Sequence, residues 1–189
     1  MADNTQIIDV PIGPAEVEFG DTSPIVFDIT KGGIVFTANF SKQDITVDQF
    51  GDTPVKSILK GGTCQLAVPF ALHDLQKLSR VMPGSIYKED ATTPNDVKKR
   101  LNVYAKAGYD LLKNAEKVVV KPTTPGTTPN DYITIPLGSP MPEIQWTYNS
   151  DNERVANIIF VGYPDKDGLF FFLGDEAVSI TDDNNQSED

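Results

Sequence analysis

The chain has 189 residues, is 39% hydrophobic and 23% charged, and contains 14 Gly and 14 Pro. This composition suits one turn-rich β domain and argues against a helical bundle or a wholly disordered chain. A formal net charge of -11 would repel a phosphate backbone over most of the surface, so sequence-specific nucleic-acid binding is not expected. One cysteine, Cys64, and one histidine, His73, leave no intrachain disulfide, no cysteine-rich zinc site and no histidine cluster.

Residues 1–21 mix small, polar and isolated apolar side chains with Pro11, Gly13 and Pro14, and read as an extended arm outside the domain. They lack a basic region followed by an apolar run, and no stretch approaches the roughly 20 apolar residues of a membrane span. A soluble protein made in the cytoplasm, without membrane contact, is the expectation. The domain proper is assigned to residues 22–180.

Within it, Ile34, Phe36, Ala38 and Phe40 alternate with Val35, Thr37, Asn39 and Ser41, the period of a half-buried strand. Residues 44–50 alternate as well, with Ile45 and Val47 opposed to Asp44, Thr46 and Asp48. The intervening Lys42-Gln43 reads as a hairpin turn, although it lacks an Asn-Gly signature. Gly51-Asp52-Thr53-Pro54 breaks the pattern. Two more strands, 55–59 and 63–70, flank Gly61-Gly62, the second alternating Cys64, Leu66, Val68 and Phe70 against Thr63, Gln65 and Ala67.

Ala71, Leu75, Leu78 and Met82 recur at helical spacing before Pro83-Gly84, predicting a helix that covers one face of a sheet. Residues 85–99 are polar and read as a loop, followed by a strand over 100–105. A helical turn over 108–115 carries Leu111 and Leu112, and 118–120 form a short strand ended by Pro122. Residues 123–130 form a Thr/Pro/Gly loop. Strands follow at Ile133 and Ile135, at 144–148, and at 155–161, the last read as buried on both sides. An Asp165-Lys166-Asp167-Gly168 turn leads into a strand over 169–173, and the acidic tail 181–189 is expected to be disordered.

No chemical motif assembles. Ser57-Ile58-Leu59-Lys60 has Ser-x-x-Lys spacing but neither a helix start nor the partner motifs that its chemistry needs. Asp165-x-Asp167-Gly168 lacks the remaining oxygen ligands and closing Glu of a calcium loop. Gly32-Gly33 and Gly61-Gly62 lack the rest of a phosphate loop. His73 has no second histidine to work with, and Cys64 in an alternating strand reads as a small core residue. With no nucleophile, base and orienter to name together, no enzyme, no cofactor and no metal are expected.

Four stretches in order carry a likeness. They are Thr30-Lys31-Gly32-Gly33-Ile34-Val35-Phe36 running into Asp44-Ile45-Thr46-Val47-Asp48-Gln49-Phe50-Gly51-Asp52-Thr53-Pro54-Val55; Gln65-Leu66-Ala67-Val68-Pro69-Phe70-Ala71; Gly108-Tyr109-Asp110-Leu111-Leu112 with Lys117-Val118-Val119-Val120-Lys121-Pro122; and Asn152-Glu153-Arg154-Val155 leading into Ile159-Phe160-Val161-Gly162-Tyr163-Pro164-Asp165. Across residues 24–173 the chain resembles the tail tube proteins (major tail proteins) of long-tailed bacteriophages, through order and spacing rather than one signature.

The resemblance implies a mainly β fold, an antiparallel barrel or sandwich with one flanking α-helix. It further implies a structural virion protein whose six-membered rings stack into the tail tube, the conduit for DNA ejection. Implied partners are further copies of itself, other phage tail proteins, and DNA passing through the lumen without specific binding. The expected location is the virion tail, with host cytoplasm during assembly. Candidate lumen or subunit-interface residues are Asp44, Thr46, Asp48, Gln49, Asp52, Thr53, Pro54 and Val55. Carboxylates lining a lumen would repel passing phosphates. A small acidic β-sandwich that decorates a virion or serves adhesion is the alternative, and a size measurement separates a polymer from a monomeric module.

Overall fold

The chain is represented by a computed structural model that describes residues 13–71, 73–92, 97–105, 107–146 and 154–178. The described elements run in the order β1 (Ala15–Phe19), β2 (Ile25–Phe27), β3 (Val35–Thr46), β4 (Pro54–Phe70), α1 (Leu75–Val81), β5 (Ser85–Asp90), β6 (Lys98–Val103), β7 (Glu116–Pro122), β8 (Ile133–Ile144), β9 (Ala156–Tyr163) and β10 (Phe172–Leu173). All strand pairings are antiparallel. The main sheet has the order β2-β1-β7-β8-β9-β4-β3, with β10 also on β8, while β5 and β6 pair only with each other.

Strands far apart in that order touch through their side chains, so the sheet curls over its own core. Phe19 of β1 meets Phe160 of β9, and Phe27 of β2 meets Phe70 of β4, each pair with ring centroids 5.1 Å apart. Backbone bonds complete the closure: Lys31 N–H donates to the Pro69 carbonyl, and Ala71 N–H donates to the Ile29 carbonyl. This is the expected fold class, an antiparallel barrel-like sandwich with one flanking helix. Its core follows the period of two, with Val17 and Phe19, then Cys64, Leu66, Val68 and Phe70, then Val118 and Val120, then Ile158 and Phe160 all buried.

The helix is short but well tied. Asp74 caps it by accepting from the N–H groups of Gln76 and Lys77. Leu78 and Val81 are buried beneath it. Lys77 donates to the Val26 carbonyl at 2.6 Å, and Arg80 pairs with Glu116 at 2.9 Å, fastening α1 to β2 and β7.

Several sequence expectations are corrected. Residues 15–19 of the expected arm form β1, with Val17 and Phe19 in the core; residues 1–12, like the tail 181–189, lie outside the described residues. Lys42-Gln43 is no turn but part of the 12-residue β3, and Gly61-Gly62 lies inside the 17-residue β4. The helix starts at Leu75 rather than near Ala71, because Asp74 serves as its cap, and His73 precedes it. Residues 85–90 are a strand rather than loop. The strand expected at Ile133 and Ile135 extends as β8 through Pro136, Pro140 and Pro142 to Ile144; of the strand expected over 144–148, Gln145 and Trp146 lie outside any strand, and 147–148 lie outside the described residues. Pro136 falls at the bulge between Ile135 and Gly138 in the pairing with β7, and Pro140 and Pro142, two residues apart, put their missing donors on one edge. β9 is not buried on both sides: Ala156, Ile158 and Phe160 are buried while Asn157, Ile159 and Val161 are half-buried. Only Phe172–Leu173 of the expected last strand pairs.

Candidate assembly surface

β9 covers β4 only between Gln65 and Phe70. Beyond that limit β3 and β4 continue together as a free ribbon, paired from Asn39↔Thr63 to Thr46↔Pro54. At about 3.4 Å per residue it projects roughly 25 Å from the barrel. Every residue from 39 to 63 is exposed. Bare two-stranded hairpins are marginal in water, yet this one carries Phe40, Ile45, Phe50, Val55, Ile58 and Leu59 in the open, with Leu59 69% and Phe50 65% accessible.

Along β3 the apolar groups occupy first one face and then the other, while Leu59, opposite Lys42, stays on the first. Phe36, Ala38 and Phe40 share the core-facing side, and Phe171 packs on Phe36 with centroids 5.1 Å apart. Ile45 lies at an odd spacing from Phe40 on the same strand, so it projects from the other side. A bulge lies between Ser41 and Lys42 in the pairing, where Gly61 faces Ser41 and Leu59 faces Lys42, leaving Lys60 as the extra residue. Beyond it Ile58 is opposite Gln43, which puts Ile58 on the same face as Ile45.

All eight candidate residues of the sequence lie on the outer half of this ribbon. Asp44 and Thr46 are on β3, Asp48 and Gln49 in the 3-10 turn Asp48–Phe50, Asp52 and Thr53 in the bend, and Pro54 and Val55 at the start of β4. The turn is built by Phe50 N–H on the Val47 carbonyl and Thr53 N–H on the Phe50 carbonyl. Gly51 has φ 59 and ψ -132, a conformation that a side chain resists. Asp44 is answered locally: Ser57 Oγ donates to it at 2.5 Å and Lys42 Nζ lies 3.2 Å away, and these two, the Ser57 bond first, hold its carboxyl below the usual value. Asp48 and Asp52 have no such partner among the described residues.

A second hairpin is formed by β6, which overlaps the strand predicted over 100–105, and β5, which lies in the stretch read as loop because it lacks apolar alternation. In the β5–β6 hairpin, Tyr87, Glu89, Lys99 and Leu101 share one face, where the Tyr87 hydroxyl donates to Glu89 and is thereby pushed up to about 12. The opposite face carries Ile86, Lys88, Asp90, Lys98, Arg100 and Asn102, with Lys88 directly across from Arg100 and Asp90 across from Lys98. Like charges at opposed positions repel, which costs the isolated hairpin stability.

The concave surface offers less. A groove of about 260 Å³ beside β1 and β7 is lined by Glu18, Lys117, Lys121, Tyr132 and Glu176. Its charges are spent on each other, Lys121 with Glu18 at 2.5 Å and Lys117 with Glu176 at 3.2 Å. Among the described residues no group of three or more His, Cys, Asp or Glu side chains could hold a metal ion, and no helix is long and apolar enough to cross a membrane. The Asp165-Gly168 segment is a turn, its Oδ1 accepting from the N–H groups of Asp167 and Leu169. His73 stacks edge-on against Trp146, with centroids 5.2 Å apart.

No family model matches the sequence, and no curated protein matches it. Among solved structures, the chain is similar to one in the cryo-EM structure of the anti-feeding prophage (AFP) baseplate, 6-fold symmetrised. The two are 14% identical, the match covers 83% of this chain and 93% of that one, and the TM-score is 0.40. A likeness of this extent assigns no function.

Proposed function

We propose that the chain is a non-enzymatic structural subunit of a phage-type tail, one copy of a six-membered ring that stacks into a tube and lets DNA pass without specific binding. One observation carries this reading: the β3–β4 ribbon stands wholly exposed, and beyond the Ser41/Lys42 bulge Ile45 and Ile58 project from the face opposite Phe40. The inner half serves its own core. The outer half has nothing of its own to bury Ile45 and Ile58, so those groups are placed for another chain. Heterologous contacts of this kind close into rings or propagate as filaments. The segment resemblance to tail tube proteins supports the same role, as well as other tail proteins as partners and the virion as its place.

Electron microscopy of the concentrated purified protein, paired with sedimentation, tests it. Long filaments of uniform width are expected. A monomer at every concentration overturns the tube and leaves a small β module of the decoration or adhesion kind.

A further inference from the structure

We infer that the acidic tip of the β3–β4 ribbon docks onto the basic outer face of the β5–β6 hairpin of a second copy of this chain. The inference rests on the self-assembly reading above and names the surface that receives the ribbon.

The tip offers Asp48 and Asp52 on either side of Phe50. All three are exposed, and the two carboxylates have no described side-chain partner. The receiving face offers Lys88 and Arg100 side by side across the β5–β6 ladder, with Ile86 next to Lys88 on the same face and 49% accessible. A pair of acids around an aromatic ring thus corresponds to a pair of bases beside an aliphatic group.

Each half is incomplete alone. The hairpin holds two cations opposed in register, a repulsion that an incoming carboxylate pair would turn into attraction. Neighbouring acids are engaged elsewhere: Glu89 takes the Tyr87 hydroxyl and Lys99 on the other face, and Asp90 takes both the N–H and hydroxyl of Thr92. Asp44, farther back on the ribbon, is occupied by Ser57 and Lys42. Charge therefore remains uncompensated at the two places that would meet. In a chain of net charge -11, copies repel one another over most of their surface, and a basic site on a projecting hairpin selects one orientation of approach. Because tip and face are different surfaces, the contact is head-to-tail and propagates.

A charge swap tests this on the full chain, with circular dichroism to verify each fold and electron microscopy and sedimentation to score assembly. Asp48→Lys with Asp52→Lys, and separately Lys88→Glu with Arg100→Glu, should each raise the concentration needed for assembly roughly 10-fold or more. Combining all four substitutions should restore assembly. Normal assembly of either double variant overturns the inference while leaving the self-assembly reading intact, as does failure of the quadruple variant to recover. Loss of duplex-DNA binding in Lys88→Glu with Arg100→Glu, with assembly unchanged, assigns the basic face to a polyanion and also overturns it. A wild-type chain that never assembles removes the reading and the inference together.

Discussion

Phe40 and Ile45 stand on one uninterrupted strand yet project from opposite faces of it, Phe40 with its ring centroid 6.4 Å from that of Phe171, and both remain exposed. A strand that served only its own domain would keep its apolar groups in one phase. The change of phase lies beside the bulge at Ser41/Lys42, four residues beyond the Thr37↔Gln65 pair at which the cover by β9 ends.

Replacing Ile45 and Ile58 together with Ser should therefore leave the domain intact. Exposed substitutions of this kind change stability by about 0.5 kcal/mol or less, while assembly should be lost. Deleting residues 51–54 should likewise give a folded monomer. A urea melt and electron micrographs of each variant check both halves of the expectation, and normal tubes from either variant would sink it.

Gly138 is demanded by proximity, not by its backbone angles. A Cβ there would come within 2.4 Å of Val118 Cγ2, a rigid branched side chain in the core. Gly138→Ala should destabilise the fold by about 1–3 kcal/mol. Adding Val118→Ala should make the combined loss smaller than the sum of the two, which a double-mutant cycle in urea measures.

Cys64 should be inert while the protein is folded. Burial against apolar neighbours pushes its thiol up to about 11, so little thiolate exists near neutral pH. An aromatic disulfide reagent should label it only as fast as the barrel opens. Rapid labelling in buffer without denaturant would contradict its place in the core.

Asp44 should titrate below the ordinary Asp value of 3.8, because Ser57 and then Lys42 stabilise its charged form. A depressed carboxyl pKa contributes stability that is present above the unfolded value and is lost as pH falls through the folded one. Ribbon order near this pair should accordingly persist through neutral and mildly acidic pH and decline only below that value. Ser57→Ala should move the midpoint upward, read from the side-chain carboxyl resonance by NMR; an unmoved midpoint would show that the Ser57 bond is not the main cause.

How much of this the sequence determined by itself follows from the range of the forces involved. Cys64, Leu66, Val68 and Phe70, or Leu75 and Leu78 before Pro83-Gly84, declare strand and helix because their spacing sorts them onto one buried face. The Gly51-Asp52-Thr53-Pro54 break is equally local, and the eight candidate residues around it do share one end of the ribbon. Only the tertiary structure decided the rest. The switch of apolar phase near Lys42-Gln43 reads as a turn until the pairing of β3 along all of β4 shows a single ribbon. Pro136, Pro140 and Pro142 argue against a strand until β7 and β9 supply its neighbours. β5 has too little apolar alternation to be seen beside the strand predicted over 100–105, which overlaps β6, and the opposition of Lys88 to Arg100 exists only in their register. Periodicity states which side chains share a face; which face is covered, and by what, depends on segments distant in the chain and on groups that the chain cannot bury alone.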